Sequence, residues 1–370
     1  MHADVDANSV SAGLVARIRV AIDAAGGWLP FSRFMAMALY EPGLGYYASS
    51  RRIVGRMPEG GSDFVTAPEL SPFFARALAR QVDQALEAGA GDEIFEFGAG
   101  SGTLAAELLR SLGNRVRRYS IVEVSAPMRE RQRQATRAHG DVVQWLDAWP
   151  ESISGVAIGN EVLDAMPVDL LHFDGTRWLE RGVVRARADA NAAFAWSDQP
   201  GDRRPPYDAG FPAGTTTETH AQAEAFITSL GDRLRRGMAL FIDYGFPEAE
   251  YYHPQRSGGT LMCHRAHRAD TEPLEDAGEK DITAHVDFTG LALAGQNAGM
   301  DVVGYTSQAS FLLNCGVGEL LEGATLQERS DVQKLLNEHE MGELFKVIAF
   351  AKDLSFSPMG FASGDRRHRL

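Results

Sequence analysis

The chain is predicted to fold as an α/β domain built on a mainly parallel, Rossmann-like sheet covered on both faces. Two observations carry this prediction. Short apolar runs alternate with amphipathic helical segments from Glu93 onward. A glycine-rich turn, Gly98 to Gly102, joins the first such strand to the next helix.

The elements follow in order. Residues 12–26 and 31–40 carry helical apolar spacing, broken at Gly26-Gly27 and Pro30. Residues 41–66, rich in Gly, Pro, Ser and Tyr, read as a loop region anchored by Tyr46 and Tyr47. Ser71-Pro72 opens a helix to about Ala88, because Ser caps and Pro suits the first helical position. Strands are expected at Glu93–Phe97, Ser120–Val124, Val156–Asn160 and Met238–Asp243. Helices are expected at Thr103–Leu112, Ala126–Ala138 and Ala221–Arg235. Residues 168–173, 177–188 and 193–197 read as strands or hairpins, and 198–216 as a surface excursion. From Tyr244 to Asp287 the pattern is irregular. Helix 288–298, strand 302–307, helix 327–338 and strand 344–351 follow, with a frayed polar tail from Ser363.

Composition limits the function classes. The 370 residues hold 44% hydrophobic and 23% charged side chains, enough for a sizeable core. The formal charge of −14 argues against nucleic acid or anionic membrane as partner. No apolar run approaches the ~18 residues of a membrane span. Met1–Ser11 has neither the apolar centre of a signal peptide nor the Arg-rich, acid-poor character of a transit peptide. Cys263 and Cys315 are the only cysteines, and no C-x-x-C pattern occurs. That favours a reducing compartment, taken as cytoplasmic, and no metal site is expected.

The turn reads Glu96-Phe97-Gly98-Ala99-Gly100-Ser101-Gly102-Thr103. Its G-x-G-x-G spacing differs from the dinucleotide fingerprint, and Glu96 would repel a pyrophosphate. A carboxylate there suits an amino group, such as the α-amine of a methionyl moiety. A side chain at Gly98 is expected to fill space that a ligand needs. Glu123 ends the next strand, 21 residues after Gly102, where a carboxylate can accept both hydroxyls of a ribose. Asn160, Glu161 and Asp164 fall at the carboxyl end of a third strand, where ligands of open α/β sheets sit. Helix capping is the competing reading for Asn160 and Asp164. Asp243-Tyr244-Gly245 repeats the pattern, with packing beside a turn as the alternative for Tyr244. The bland reading of the glycine turn is simple helix-on-strand packing.

Several ordered blocks stand together: Tyr40-Glu41-Pro42-Gly43-Leu44-Gly45-Tyr46-Tyr47, Ser62-Asp63-Phe64-Val65-Thr66-Ala67-Pro68-Glu69, Glu96–Gly102, Asn160–Pro167, Ile242–Gly245 and Asp281-Ile282-Thr283-Ala284-His285-Val286-Asp287-Phe288. On these blocks the chain, over roughly residues 15–352, resembles the MidA/NDUFAF7 family of S-adenosylmethionine-dependent methyltransferases. The family usually carries Gly where Ser62 stands and Pro where Ala99 stands. The resemblance implies a class I methyltransferase sheet of about seven strands, the last antiparallel, with an N-terminal helical region and an inserted substrate-side lobe. The expected division is an N-terminal region 1–90, a cofactor-binding core 91–250 with a hairpin insertion near 170–200, a substrate-side segment 251–300, core elements 301–353 and a tail 354–370.

The resemblance also implies S-adenosyl-L-methionine as cofactor and a protein arginine as methyl acceptor; the mitochondrial member modifies a respiratory-complex subunit. Gripping a guanidinium takes carboxylates, for which Glu161 and Asp164 are the candidates. His285 and Asp287 are candidates to accept a proton or hold the substrate chain. Asp63 and Thr66 are expected to close over cofactor or substrate, against simple turn chemistry. A small-molecule acceptor, a non-catalytic assembly factor and a nicotinamide dehydrogenase are the competing readings. The apolar stretch Ser310–Leu321, with Phe311, Leu312 and Leu313, either covers a lobe or meets a second copy as in a homodimer.

Overall fold

The computed structural model describes residues 2–48, 65–187, 192–207, 210–265 and 268–370, with backbone only for residues 2–10. Contacts divide the chain into two compact units. The core unit comprises Val54–Leu163, Glu224–Pro247 and Phe288–Leu370. The second comprises Met1–Ile53, Asp164–Ala223 and Glu248–Asp287.

Seven strands of the core unit lie in the central sheet: β1 (Glu93–Phe97), β2 (Arg118–Val122), β3 (Val143–Leu146), β4 (Ile153–Asn160), β5 (Leu234–Phe246), β6 (Asp301–Ser307) and β7 (Phe345–Lys352). Their order is β3-β2-β1-β4-β5-β7-β6. The first five run parallel, while β7 lies antiparallel between β5 and β6. The expected seven strands with an antiparallel last strand are therefore present. Central strands of such a sheet are covered on both faces and read as unbroken apolar runs. Accordingly every residue of β7 from Phe345 to Ala351 is buried.

Among the helices of this unit are α1 (Pro72–Ala85), α2 (Thr103–Leu112) and α3 (Ala126–Thr136). The Ser71 hydroxyl accepts from Phe73 N at the start of α1, with Pro72 in the first turn. α2 follows β1 and buries Leu104, Ala105, Leu108, Leu109 and Leu112; α3 follows β2. Because Phe97 pairs with both Val122 and Gly159, the loops after β1, β2 and β4 leave the sheet along one edge.

The second unit holds helices His2–Ala24 and Phe31–Tyr40 and two antiparallel sheets. One joins Leu29–Pro30, Trp178–Arg185, Asp169–Phe173, Thr216–Thr219 and Phe194–Pro200; the other joins Arg268–Asp270, Met262–Arg265 and Asp281–Thr283. The hairpins expected at 168–173, 177–188 and 193–197 are found. The three-stranded sheet falls where the sequence reads as irregular. Its strands have three or four residues, and their partners lie up to 21 positions apart, Met262 opposite Thr283. Runs so short and polar carry no period-2 signal.

One expectation is corrected. The tail from Ser363 is not frayed: Arg366 N donates to Tyr305 O at 2.6 Å, its guanidinium pairs with Glu343, and Asn314 Nδ2 holds Ser363 O at 2.8 Å. Of the apolar stretch Ser310–Leu321, Phe311 and Leu312 are buried in the unit's own core, as the covering alternative expects, while Leu313 is exposed. Among the described residues, no helix is long and apolar enough to cross a membrane.

Phe350 is fully buried on β7. Phe350→Ala is expected to lower the unfolding free energy by about 4 kcal/mol, and Leu326→Ala, at a position 87% exposed, by less than about 0.5 kcal/mol. Urea denaturation of both variants checks the contrast.

Candidate cofactor and acceptor sites

The chain leaves β1 through a turn in which Gly98, Gly100 and Gly102 have φ of 66°, 52° and 87°. These are left-handed conformations that side chains disfavour. The three serve different ends. A Cβ on Gly98 would come within 2.4 Å of Val162 Cγ2, so a neighbouring side chain already excludes one there. The loop passes directly against the segment following β4. A Cβ on Gly102 would lie 3.0 Å from Gln132 Cα on α3, a helix-packing constraint. Of the three, only Gly100 would place a Cβ with nothing within 4 Å among the described residues.

Glu123 follows β2, and its carboxylate is held from two sides. Oε1 accepts from Ser125 N at 2.8 Å and Oε2 from Gln132 Nε2 at 3.2 Å. The same Gln132 Nε2 donates to Gly100 O at 3.1 Å, and its Oε1 accepts from Trp145 Nε1 at 2.9 Å. One buried amide thus joins the glycine turn to the ribose candidate. Gln132 was not singled out from the sequence; its only signal there is a polar residue on the inward face of a helix.

Glu96 sits deeper. It is buried, and its Oε2 accepts from Tyr119 Oη at 2.9 Å. Burial pushes its pKa up to about 7, against the hydrogen bond from Tyr119 that lowers it.

Asn160 ends β4. Its Nδ2 donates to Glu161 Oε1 at 3.1 Å, which leaves the buried Oδ1 with no hydrogen-bond partner among the described residues. A buried acceptor without a donor is costly, so this atom fits a ligand that brings an N–H or O–H. Glu161 adopts φ of 52° and its Oε1 also accepts from Ala67 N at 3.4 Å. The turn is held by Asp243 at the end of β5, whose Oδ2 accepts from Val162 N and Leu163 N at 3.1 and 2.9 Å. Tyr244 lies edge-on to Phe345 with centroids 5.3 Å apart, the packing alternative.

Thr66 caps the short helix Ala67–Leu70 by position, without a side-chain cap bond. Glu69 in that helix accepts from Thr103 Oγ1 at 2.9 Å and from the Ser101 hydroxyl. Asp63 lies outside the described residues.

Asp164, His285 and Asp287 belong to the second unit. There three of the sequence blocks meet. Tyr40 Oη donates to Ala165 O, and Tyr47 Oη to Asp281 Oδ1, both at 2.9 Å; Ala284 N donates to Asp164 O at 3.0 Å. The two tyrosine rings stack at 5.6 Å and 17°. Burial, then the charges of Asp281 and Asp164, push the pKa values of both phenols up. The backbone N–H of His285 donates to Thr260 Oγ1, and burial first and His285 second push the pKa of His220 down to about 3. Asp287 is buried. Among the described residues, no group of three or more His, Cys, Asp or Glu is arranged to hold a metal ion.

Residues 74–306 match the family described as "Putative S-adenosyl-L-methionine-dependent methyltransferase". The chain belongs to this family. It is 48% identical to a Burkholderia thailandensis protein described as a "likely methyl transferase" and crystallised with S-adenosyl-homocysteine; the match covers 99% of this chain and 98% of that one, with a TM-score of 0.94. It is also similar to two proteins named protein arginine methyltransferase NDUFAF7. The mitochondrial protein of Danio rerio is 25% identical over 88% of this chain and 84% of that protein. The homologue of Drosophila melanogaster is 26% identical over 94% and 87%. As a member of the family the chain is an S-adenosylmethionine-dependent methyltransferase, and the open face of Gly100, the oriented Glu123 and the unmet Asn160 Oδ1 fit that cofactor.

Two outcomes follow. Gly98→Val is expected to weaken cofactor affinity at least about tenfold, because the added side chain displaces Val162 and the turn; calorimetric titration checks this. Glu96 binds its proton more tightly in the folded state, between its ordinary 4.5 and about 7. Its contribution therefore falls as pH rises through that window. Thermal denaturation should show Glu96→Gln gaining stability relative to the unaltered chain from pH 4.5 to 7; an unchanged difference across that range would refute the assignment.

Proposed function

We propose that the enzyme transfers the methyl group to an arginine side chain of a protein. The observation that carries this reading is the cluster in the second unit: the buried carboxylates of Asp164 and Asp281 beside the stacked rings of Tyr40 and Tyr47. A guanidinium is a planar cation whose charge is spread over three nitrogens. Carboxylates and aromatic faces are the groups that bind it. The relatives named protein arginine methyltransferase, similar over most of this chain, support the same acceptor.

S-adenosylmethionine supplies an electrophilic methyl group on a good leaving group, so the protein's task is positioning and proton removal. On the cofactor side, the two oxygens of Glu123 are aimed by Ser125 and Gln132 to accept ribose hydroxyls. Asn160 Oδ1 accepts a donor of the cofactor. Glu161, with one oxygen accepting from Ala67 and Asn160, steadies the end of β4. On the acceptor side, Asp164 holds the guanidinium. That cation must lose a proton when it is methylated, and His285 or Asp287 takes it. The two buried free thiols, Cys263 and Cys315, both pushed up to about 12 by burial, suit a reducing compartment, and the cytoplasm is the proposed location.

The test is incubation with labelled S-adenosylmethionine and a lysate from cells lacking the gene, followed by mass spectrometry of what gains label. Label on arginine of a protein is expected; label confined to small molecules or to other side chains would overturn the acceptor. Asp164→Asn is expected to leave cofactor affinity within about twofold and to cut turnover about a hundredfold. Unchanged turnover would remove Asp164 from the role.

A further inference from the structure

The segment before α1 carries a carboxylate that the readings above do not use. Glu69, on the short helix Ala67–Leu70, accepts hydrogen bonds from the Ser101 hydroxyl and from Thr103 Oγ1, so both protons are aimed at one oxygen. Ser101 Oγ in turn accepts from Thr103 N at 3.3 Å, which meets one of the free N–H groups at the start of α2. At its other end the same segment is tied by Ala67 N to Glu161 Oε1, next to Asn160. Residues 67–69 therefore strap the loop after β1 to the loop after β4, all within the core unit. The unmet, nine-tenths-buried Asn160 Oδ1 and the open face of Gly100 flank this strap.

A negative charge at a helix N-terminus is favourable for the helix. A pyrophosphate brought to this turn would meet a resident carboxylate and be repelled. A cation would be attracted. S-adenosylmethionine carries a sulfonium charge, and S-adenosyl-homocysteine is the same molecule without the methyl group and without that charge. The adenine, ribose, amine and carboxylate are common to both, so they cannot distinguish the two.

We propose that Glu69 is a specificity-determining residue: held on Ser101 and Thr103 at the glycine turn, its charge favours the sulfonium form of the cofactor over the neutral-sulfur product. The chemical step removes the positive charge that Glu69 attracts, and the spent cofactor is held less tightly than the fresh one. This rests on the cofactor reading above and extends it from recognition of the nucleoside to recognition of its charge.

The test is calorimetric titration of the full chain with S-adenosylmethionine and, separately, S-adenosyl-homocysteine. Glu69→Gln keeps an oxygen that can accept from Ser101 and removes the charge. It is expected to weaken S-adenosylmethionine about fivefold to tenfold and S-adenosyl-homocysteine less than about twofold. Glu69→Ala removes the acceptor as well, and both ligands are expected to weaken. Equal losses for the two ligands in Glu69→Gln, or no loss for either, would overturn the proposal; with equal losses the carboxylate acts only by shaping the turn. Thermal denaturation of both variants shows that each is folded. If the unaltered chain binds neither ligand, the cofactor reading fails and this inference with it. If it binds both and Glu69→Gln does not separate them, only the charge selection fails.

Discussion

The amide of Gln132 is the interaction on which the cofactor side depends. Three groups meet on it: Gly100 O and Glu123 Oε2 accept from its nitrogen and Trp145 Nε1 donates to its oxygen, while the backbone of α3 packs on Gly102. A buried amide is costly unless its donors and acceptor are used, and here they are. The satisfied network fixes the turn after β1 and the carboxylate after β2 relative to one another before any ligand arrives. Such pre-organisation is what lets binding energy go into recognition.

The same economy of buried polar groups runs along the sheet edge. Asp243 spends one oxygen on two backbone N–H groups of the turn after β4, and Tyr119 meets Glu96 between β1 and β2. Against that background Asn160 Oδ1, which has no hydrogen-bond partner among the described residues, stands out at the end of β4. The left-handed backbone of Glu161 is a further local cost at the same strand end. Strain and an unmet acceptor beside an open glycine face are features that a bound ligand repays.

The second unit follows a different logic. Its strands are short and antiparallel, and its polar clusters lie between segments distant in sequence. Tyr47 reaches Asp281, and Tyr251 donates to Glu218 Oε2 at 2.8 Å while Thr260 N donates to Glu218 Oε1 at 2.9 Å. The tyrosines that the sequence shows only as anchors of a loop become, through these bonds, part of a carboxylate-and-ring cluster.

The strand and helix alternation, the turn at Gly98–Gly102, Glu123 at the end of β2 and Asn160 at the end of β4 were legible in the chain alone, because each is a local pattern of period, spacing or turn chemistry. The hydrophobic runs of β4, β5 and β7 needed no partner to be recognised. What the tertiary structure decided is which groups meet. Only the fold shows that Val162 crowds Gly98, that Gln132 bridges Gly100 and Glu123, that Glu69 caps Ser101 and Thr103, and that the tail beyond Ser363 is tied down by Glu343 and Asn314. These contacts join residues from 9 to 64 positions apart, and no local propensity encodes a distance between side chains that the backbone brings together only on folding.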